Sequence, residues 1–301
     1  MKDKFLAWIG LSRPPFLLVG ILPYLLGAVM AAAGTYPVRW GIFSLGFLGA
    51  VLIMLSTYYG GEYWDYEGDL LSSGNRFAGG TRVMLKGILP KTAPLTGSLV
   101  TLILAAAVGL LLQFVYRTGP WTLPLGVIGM IGGFFYSTRP VRWVATGTGE
   151  LWIAFCYGWL PVAVGYYLQA GTFAPAILPV SLPIAFACFN VILLNEFSDY
   201  EADTKTNKKN LTVRFGKPFS AKLYALVSFL SVAAVVWSSL YVPPSVLLFY
   251  LPVFLLSFGL AILVLRGAWQ DGKKLEVMCG LNILVNLALP VVYMLAFYFN
   301  G

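Results

Sequence analysis

Runs of about twenty apolar residues recur from one end of this chain to the other, and that recurrence limits the fold more than any other feature. About twenty helical residues cross a hydrocarbon core some 30 Å thick, and a backbone in lipid must satisfy its own hydrogen bonds. Nine such spans are predicted, at roughly 14–33, 41–60, 93–115, 120–138, 150–170, 176–197, 219–240, 244–266 and 277–299. Strict alternation over ten-residue segments, the mark of a membrane β-barrel, is missing. The chain is 59% hydrophobic and only 11% charged, against about a quarter charged in soluble domains. An all-α polytopic membrane protein is therefore expected.

Charge placement orients it. With nine spans, every Lys and Arg except Arg39 and Arg117 falls on one side, together with the N-terminus. The positive-inside tendency makes that side cytoplasmic and puts the C-terminus outside, in a bacterial or archaeal cell membrane. The net charge of +8 then serves topology, and no nucleic-acid partner is expected. The start, with Lys2, Lys4 and "AAAG" at 31–34, has the outline of a cleaved secretory signal, but "SRPP" at 12–15 reads as the entry of a retained helix. Cys156, Cys188 and Cys279 lie far apart within apolar spans, and the chain has no histidine, so a zinc site is not expected. All Asp and Glu residues also fall on the cytoplasmic side, which the positive-inside tendency does not explain.

Those acids repeat. "GGEYWDYEGD" at 60–69 follows the second span as "NEFSDYEAD" at 195–203 follows the sixth. Glu62 aligns with Glu196, Asp65 with Asp199, Tyr66 with Tyr200, Glu67 with Glu201 and Asp69 with Asp203, at a constant offset of 134 residues. Two four-helix pseudo-repeats, about 1–138 and 139–266, plus one further helix around a central cavity are expected within a single domain of 301 residues, and such repeats commonly place a site between them. In each patch the aspartates are four apart, so on a continuing helix both project from one face. Paired carboxylates near a membrane repel and are costly to keep ionised unless a cation joins them. Oxygen donors without imidazole or thiolate point to Mg²⁺ or Mn²⁺, and magnesium takes one or two carboxylates together with phosphate oxygens. Two facing Asp pairs thus describe a diphosphate clamp; the competing reading is local pairing with Lys205, Lys208 and Lys209. Bases follow each patch: Arg76, Arg82 and Lys86, then Lys208, Lys209 and Arg214. They suit the remaining phosphate oxygens. "GG" at 79–80 would let backbone amides approach an anion.

These residues resemble the two aspartate-rich motifs of the UbiA superfamily of intramembrane prenyltransferases, forms NDxxDxxxD and DxxxD. Here they read "GEYWDYEGD" and "NEFSDYEAD", the second followed by "TKTNKKNLTVRFGK". The likeness extends through "SRP" at 12–14 and "FYSTRP" at 135–140. "GTGELWIAFCYGWLPVAVGYYLQ" at 147–169 and "FAGGTRVMLKG" at 77–87 are similar to the naphthoate, menaquinone-pathway branch. Two departures stand out: Gly61 and Glu62 replace the usual Asn-Asp, and Asn207 replaces a glycine before Lys208.

The resemblance implies transfer of a prenyl chain from an isoprenyl diphosphate to an aromatic acceptor, a dihydroxynaphthoate in this branch. It implies Mg²⁺ held by Asp65, Asp69, Asn195, Asp199 and Asp203, with Glu62 reaching in from the adjacent turn. Arg76, Arg82, Lys208, Lys209 and Arg214 would bind the diphosphate. Tyr136 would steady the allylic cation, or else belongs to an interfacial aromatic belt. Arg13 and Arg139 are candidates for the acceptor carboxylate, or else anchor the chain at the membrane surface. Other acceptors remain open: 4-hydroxybenzoate, haem, chlorophyllide or an ether lipid. A transporter would also combine repeats with acids in a membrane, but its charges would lie near the midplane rather than at one face.

Overall fold

Proline opens several helices of this chain, because its missing N–H is not needed in a first turn. The computed structural model describes residues 2–72 and 80–300. A short helix, α1 (Lys2–Leu11), precedes α2 (Pro14–Ala33) and α3 (Trp40–Trp64), and α3 continues after a break at Asp65 as α4 (Tyr66–Leu71). Then come α5 (Ala93–Val115), α6 (Thr122–Ser137), α7 (Gly149–Ala170), α8 (Ile177–Lys205), a five-residue α9 (Leu211–Phe215), α10 (Lys217–Ser238), α11 (Val246–Leu265) and α12 (Gly272–Asn300). Among the described residues no strand occurs.

Eight of these helices are long and apolar enough to cross a membrane. The segment expected as a further span, 120–138, forms the apolar but shorter α6 of 16 residues. At 1.5 Å per residue that is about 24 Å, short of a typical hydrocarbon core. The protein is a multi-pass integral membrane protein whose helices all run inside a single bundle.

Packing closes the bundle into a ring. α2 packs on α7, α7 on α8, α8 on α10, α10 on α11 and α11 on α12, while α12 returns to α2 and α8. α3, α5 and α6 pack against one another on the other flank. Without a strong hydrophobic drive between helices in lipid, close backbone approach carries the association. The α2–α7 crossing does this with glycine: a Cβ on Gly27 would lie 2.7 Å from the Tyr166 nitrogen, and one on Gly165 would lie 3.2 Å from the Ala28 nitrogen. A π turn over Phe155–Trp159 precedes Pro161, which has no N–H to give Tyr157. The turn aims Tyr157 into the bundle.

Candidate active site

The cytoplasmic ends predicted for α3 and α8 carry the two acidic patches, and both face one cavity of about 230 Å³. Asp65, Asp69, Asn195, Asp199, Asp203, Lys208, Tyr136 and Arg13 all line it, so the fold brings together most of the residues singled out by spacing. α8 runs unbroken through its patch. The first patch straddles the break at Asp65, yet the Asp69 amide still donates to the Asp65 carbonyl at 2.9 Å, so one-turn spacing survives in both.

Lys208 sits between the patches, its Nζ 3.2 Å from Asp65 and 3.5 Å from Asp203. Asp65 also receives Arg142 at 3.1 Å and the Ser137 hydroxyl at 3.1 Å. Burial alone would raise the Asp65 carboxyl, but Lys208 and Arg142 outweigh it and hold the group below the ordinary carboxylate range. The same carboxylates, against the cost of burial, raise the Lys208 ammonium above its usual value. Asp69 is held less firmly. Burial, with repulsion from Glu62 and Asp65, outweighs the pull of Arg13 and pushes it up to about 7, although the Gly80 amide also donates to it at 2.7 Å. The Gly-Gly amide expected to meet an anion thus meets Asp69. Asp199 accepts from the Ser72 hydroxyl at 2.8 Å, and Asn210, which caps α9 through Val213, donates to Asp203 at 2.8 Å.

Several expected residues are not brought to the cavity. Glu62 is 2% exposed and does not line it. One of its oxygens takes Arg13 at 2.7 Å and the Thr81 amide at 2.8 Å, and the other takes the Thr81 hydroxyl at 2.9 Å. It fastens the loop after the patch to α3 rather than reaching for the first metal position. Arg82, Lys209 and Arg214 are exposed; Arg82 donates to the Ser72 carbonyl and Arg214 to the Lys209 carbonyl. Arg139 is exposed too, three residues from the Arg142 that reaches Asp65. Arg76 lies outside the described residues. The departure at Asn207 has a backbone reason: its φ is +56°, a left-handed conformation that Asn tolerates nearly as well as Gly.

Sequence reasoning missed Arg142, Asn210, Ser137 and the buried pair Glu150 and Glu196, which accept from the Leu211 and Thr212 amides at 2.7 and 3.2 Å. Only Glu196 had a signal, as the partner of Glu62 in the repeat. Tyr58 and Tyr157 also line the cavity, with their hydroxyls 3.3 Å apart.

Among the described residues no three carboxylates or other strong ligands cluster tightly enough to hold a metal by themselves. The donor set still fits magnesium, which keeps waters and uses few carboxylates alongside phosphate oxygens. All candidate donors are oxygens, and the Asn195 Oδ1 is buried at the cavity wall without a hydrogen-bond partner.

The sequence and the fold both have known relatives. The sequence model of the UbiA prenyltransferase family matches residues 20–285. The chain is 28% identical over 216 residues to 1,4-dihydroxy-2-naphthoate octaprenyltransferase of Bacillus subtilis, covering 71% of this chain and 68% of that one. It is 28% identical over 225 residues to the bacteriochlorophyll synthase 33 kDa chain of Cereibacter sphaeroides, covering 73% and 70%. The fold matches a UbiA homologue from Archaeoglobus fulgidus bound to GPP and Mg²⁺, with a TM-score of 0.65 at 17% identity over 96% of this chain and 99% of that one. It also matches the apo UbiA homologue from Aeropyrum pernix K1, with a TM-score of 0.68 at 12% identity over 92% and 97%.

Proposed function

Because the chain belongs to the UbiA prenyltransferase family, we propose that it transfers a prenyl chain from an isoprenyl diphosphate to an aromatic acceptor, a dihydroxynaphthoate. One observation carries the reading: four aspartates and Lys208 line one cavity, and three tyrosines line it too. A charged head and an apolar tail need that succession.

Asp65, Asp69, Asn195, Asp199 and Asp203 would hold Mg²⁺, which when bound supplies the positive charge that neutralises the diphosphate. The remaining work falls to the chain's own groups. Lys208, released from Asp65 and Asp203, donates to the departing diphosphate as the allylic C–O bond breaks. The faces of Tyr58, Tyr136 and Tyr157 steady the resulting cation until the electron-rich ring attacks. Helices surround the cavity and limit water, which would otherwise trap the cation as an alcohol. Arg13, which lines the cavity beside Glu62, holds the acceptor's carboxylate. That carboxylate sits on the carbon to be alkylated and leaves as carbon dioxide, returning its electron pair to the ring. Aromaticity is restored without a strong base, which suits a chain with no histidine.

The two-repeat plan belongs to the same reading. Left-handed backbone at Arg13 (φ 44°) and Gly147 (φ 72°), and at Arg82 (φ 58°) and Gly216 (φ 81°), is separated by the same 134 residues as the acidic patches, which supports two repeats sharing one site. Their common face is cytoplasmic in this reading. Reporter fusions after Lys91 and after Asn300 are expected to give opposite orientations, and equal ones would refute the span count.

The decisive assay gives purified protein farnesyl diphosphate with dihydroxynaphthoate, 4-hydroxybenzoate or chlorophyllide at equal concentration. Prenylated naphthoate with release of carbon dioxide is expected. Prenylation of another acceptor alone would move the protein to a different branch, and no prenylation of any would remove the reading.

A further inference from the structure

The repeat that pairs Asp65 with Asp199 breaks one turn earlier. At the same offset of 134 residues, Asn195 of the second patch falls opposite Gly61 of the first. Both residues line the cavity. Asn195 stands four residues before Asp199 on unbroken α8, and the Asp65 amide donates to the Gly61 carbonyl at 2.9 Å. Each position therefore shares a helix face with the aspartate that follows it. One half offers an amide oxygen there, buried and without a hydrogen-bond partner, and the other offers no side chain.

Neither backbone nor packing asks for glycine at 61. The residue is helical, and its φ is not positive. An added Cβ at Gly27 or Gly165 would strike a facing backbone. At Gly61, beyond its own helix, it would meet one described atom, the Ser137 Oγ, at 3.6 Å. A side chain at 61 would thus start out beside the Ser137 hydroxyl. Ser137 ends α6, is 5% exposed, lines the same cavity and donates to the Asp65 Oδ2 at 3.1 Å. A hydroxyl that spends its proton on a carboxylate keeps lone pairs for a cation next to that carboxylate. Each half then has a neutral oxygen near its leading aspartate, from α8 itself in one and from α6 in the other.

We propose that the Ser137 Oγ is a metal ligand of the first patch, taking the part that Asn195 takes in the second, and that it fills the place a side chain at Gly61 would use. The proposal rests on the magnesium assignment of the prenyl-transfer reading. Serine and threonine hydroxyls bind Mg²⁺ beside nucleotide phosphates, so the donor is of the right class. A neutral oxygen also completes the shell of a hard cation without adding negative charge opposite a diphosphate. Ser137 lies 72 residues from Asp65 on another helix, so only the packed bundle supplies this ligand.

The test titrates Mn²⁺, read by electron paramagnetic resonance, into full-length protein in lipid nanodiscs with geranyl S-thiolodiphosphate, a donor analogue that resists ionisation. Ser137→Ala is expected to lower Mn²⁺ affinity by about tenfold or more, the scale of disturbing a metal's surroundings. Adding Gly61→Asn to that variant returns an amide oxygen one turn before Asp65 and is expected to recover most of the loss, which a general loosening of α6 would not allow. Unchanged affinity in Ser137→Ala, a loss that Gly61→Asn does not recover, or a wild type that binds no Mn²⁺ overturns the assignment. Thermal unfolding verifies that each variant is folded. Where the alanine variant is not, Ser137→Cys decides with Cd²⁺, a soft cation that favours thiolate. Direct ligation predicts ultraviolet thiolate–Cd²⁺ absorption beyond that of wild type with its own three cysteines, and no added absorption overturns the assignment. A wild type that binds Mn²⁺ but prenylates no acceptor removes the prenyl-transfer reading alone and leaves the ligand in place.

Discussion

The helices before residue 138 and those after it offer the same acids to one cavity, but they hold them differently and are filled differently. In the earlier half Asp65 is gripped by Arg142 and Lys208, both from later in the chain, and the space beneath opens into a glycine-walled chamber. In the later half the second patch accepts from neutral groups as well: Asp199 from Ser72 and Asp203 from Asn210. Beneath it lies the largest hydrophobic cluster of the protein, built around Ile184, Leu193, Leu194 and Tyr224 on α8 and α10 and reaching to α12. One flank of the bundle is hollow, walled by α3, α5 and α6 together with α2 and α7, and the other is solid. A binding site needs rigid walls around an empty space, and dense packing on one flank supplies rigidity that a glycine-lined flank cannot. The contacts also cross over, since Lys208 of the later half holds Asp65 while Ser72 of the earlier half holds Asp199. Neither patch is set by its own half alone.

Removing divalent ions tests that joint action and is expected to have the largest effect. A chelator should abolish prenyl transfer and Mg²⁺ should restore it, because two carboxylate pairs facing a diphosphate repel it. Activity indifferent to chelation would leave Lys208 as the clamp and strip the acidic patches of their role.

Single neutralisations come next. Asp65→Asn and Asp199→Asn are each expected to lower kcat/KM by about 10²-fold or more, the scale of losing one electrostatic stabiliser. Asp65→Asn should be the worse of the two, since it also takes a charged partner from both Arg142 and Lys208, leaving Lys208 against Asp203. The opposite order would show that the cations around Asp65 belong to the resting protein and not to the reaction.

The glutamates one position behind the asparagine and glycine of the two motifs sharpen the comparison further. Glu62→Gln removes the charged partner of Arg13 and weakens the hold on Thr81, whereas Glu196→Gln breaks no ion pair among the described residues. Altering a group that orients ligands typically costs about 10–100-fold. The Glu62 variant is expected to show this loss in activity and a lowered unfolding temperature. Equal effects at the two positions would erase the distinction.

The smallest effect concerns backbone. Gly216 has φ 81° and ψ 157°, a region that is nearly closed to other residues. Gly216→Ala is expected to cost about 1–3 kcal/mol of stability. Arg82→Gly, at the matching position with an ordinary left-handed φ of 58°, should change stability by no more than about 1 kcal/mol. Chemical denaturation in detergent measures both.

Much of the site was legible because its signals are local. The apolar runs determine a helical membrane bundle, since lipid leaves the backbone no other partner. Aspartates four apart share a helix face wherever the helix continues, so Asp65, Asp69, Asn195, Asp199, Asp203 and Lys208 could be named from spacing and resemblance, and they do line one cavity. The basic residues were less legible. Charge order along a loop says that Arg82, Lys209, Arg214 and Arg139 are near the patches, but not which way each side chain turns, and all four are exposed. Arg142 reaches Asp65 across 77 residues of chain, and no local pattern encodes a contact of that separation. Glu62 had the composition of a metal ligand, and its neighbours Arg13 and Thr81 made it a fastening instead. The depth of the glycine-walled chamber and the Tyr24, Leu112 and Leu168 side chains that line it depend on five helices meeting at once. Period and composition determine which residues a helix must bury; only the packed bundle decides what they are buried against, and where nothing is.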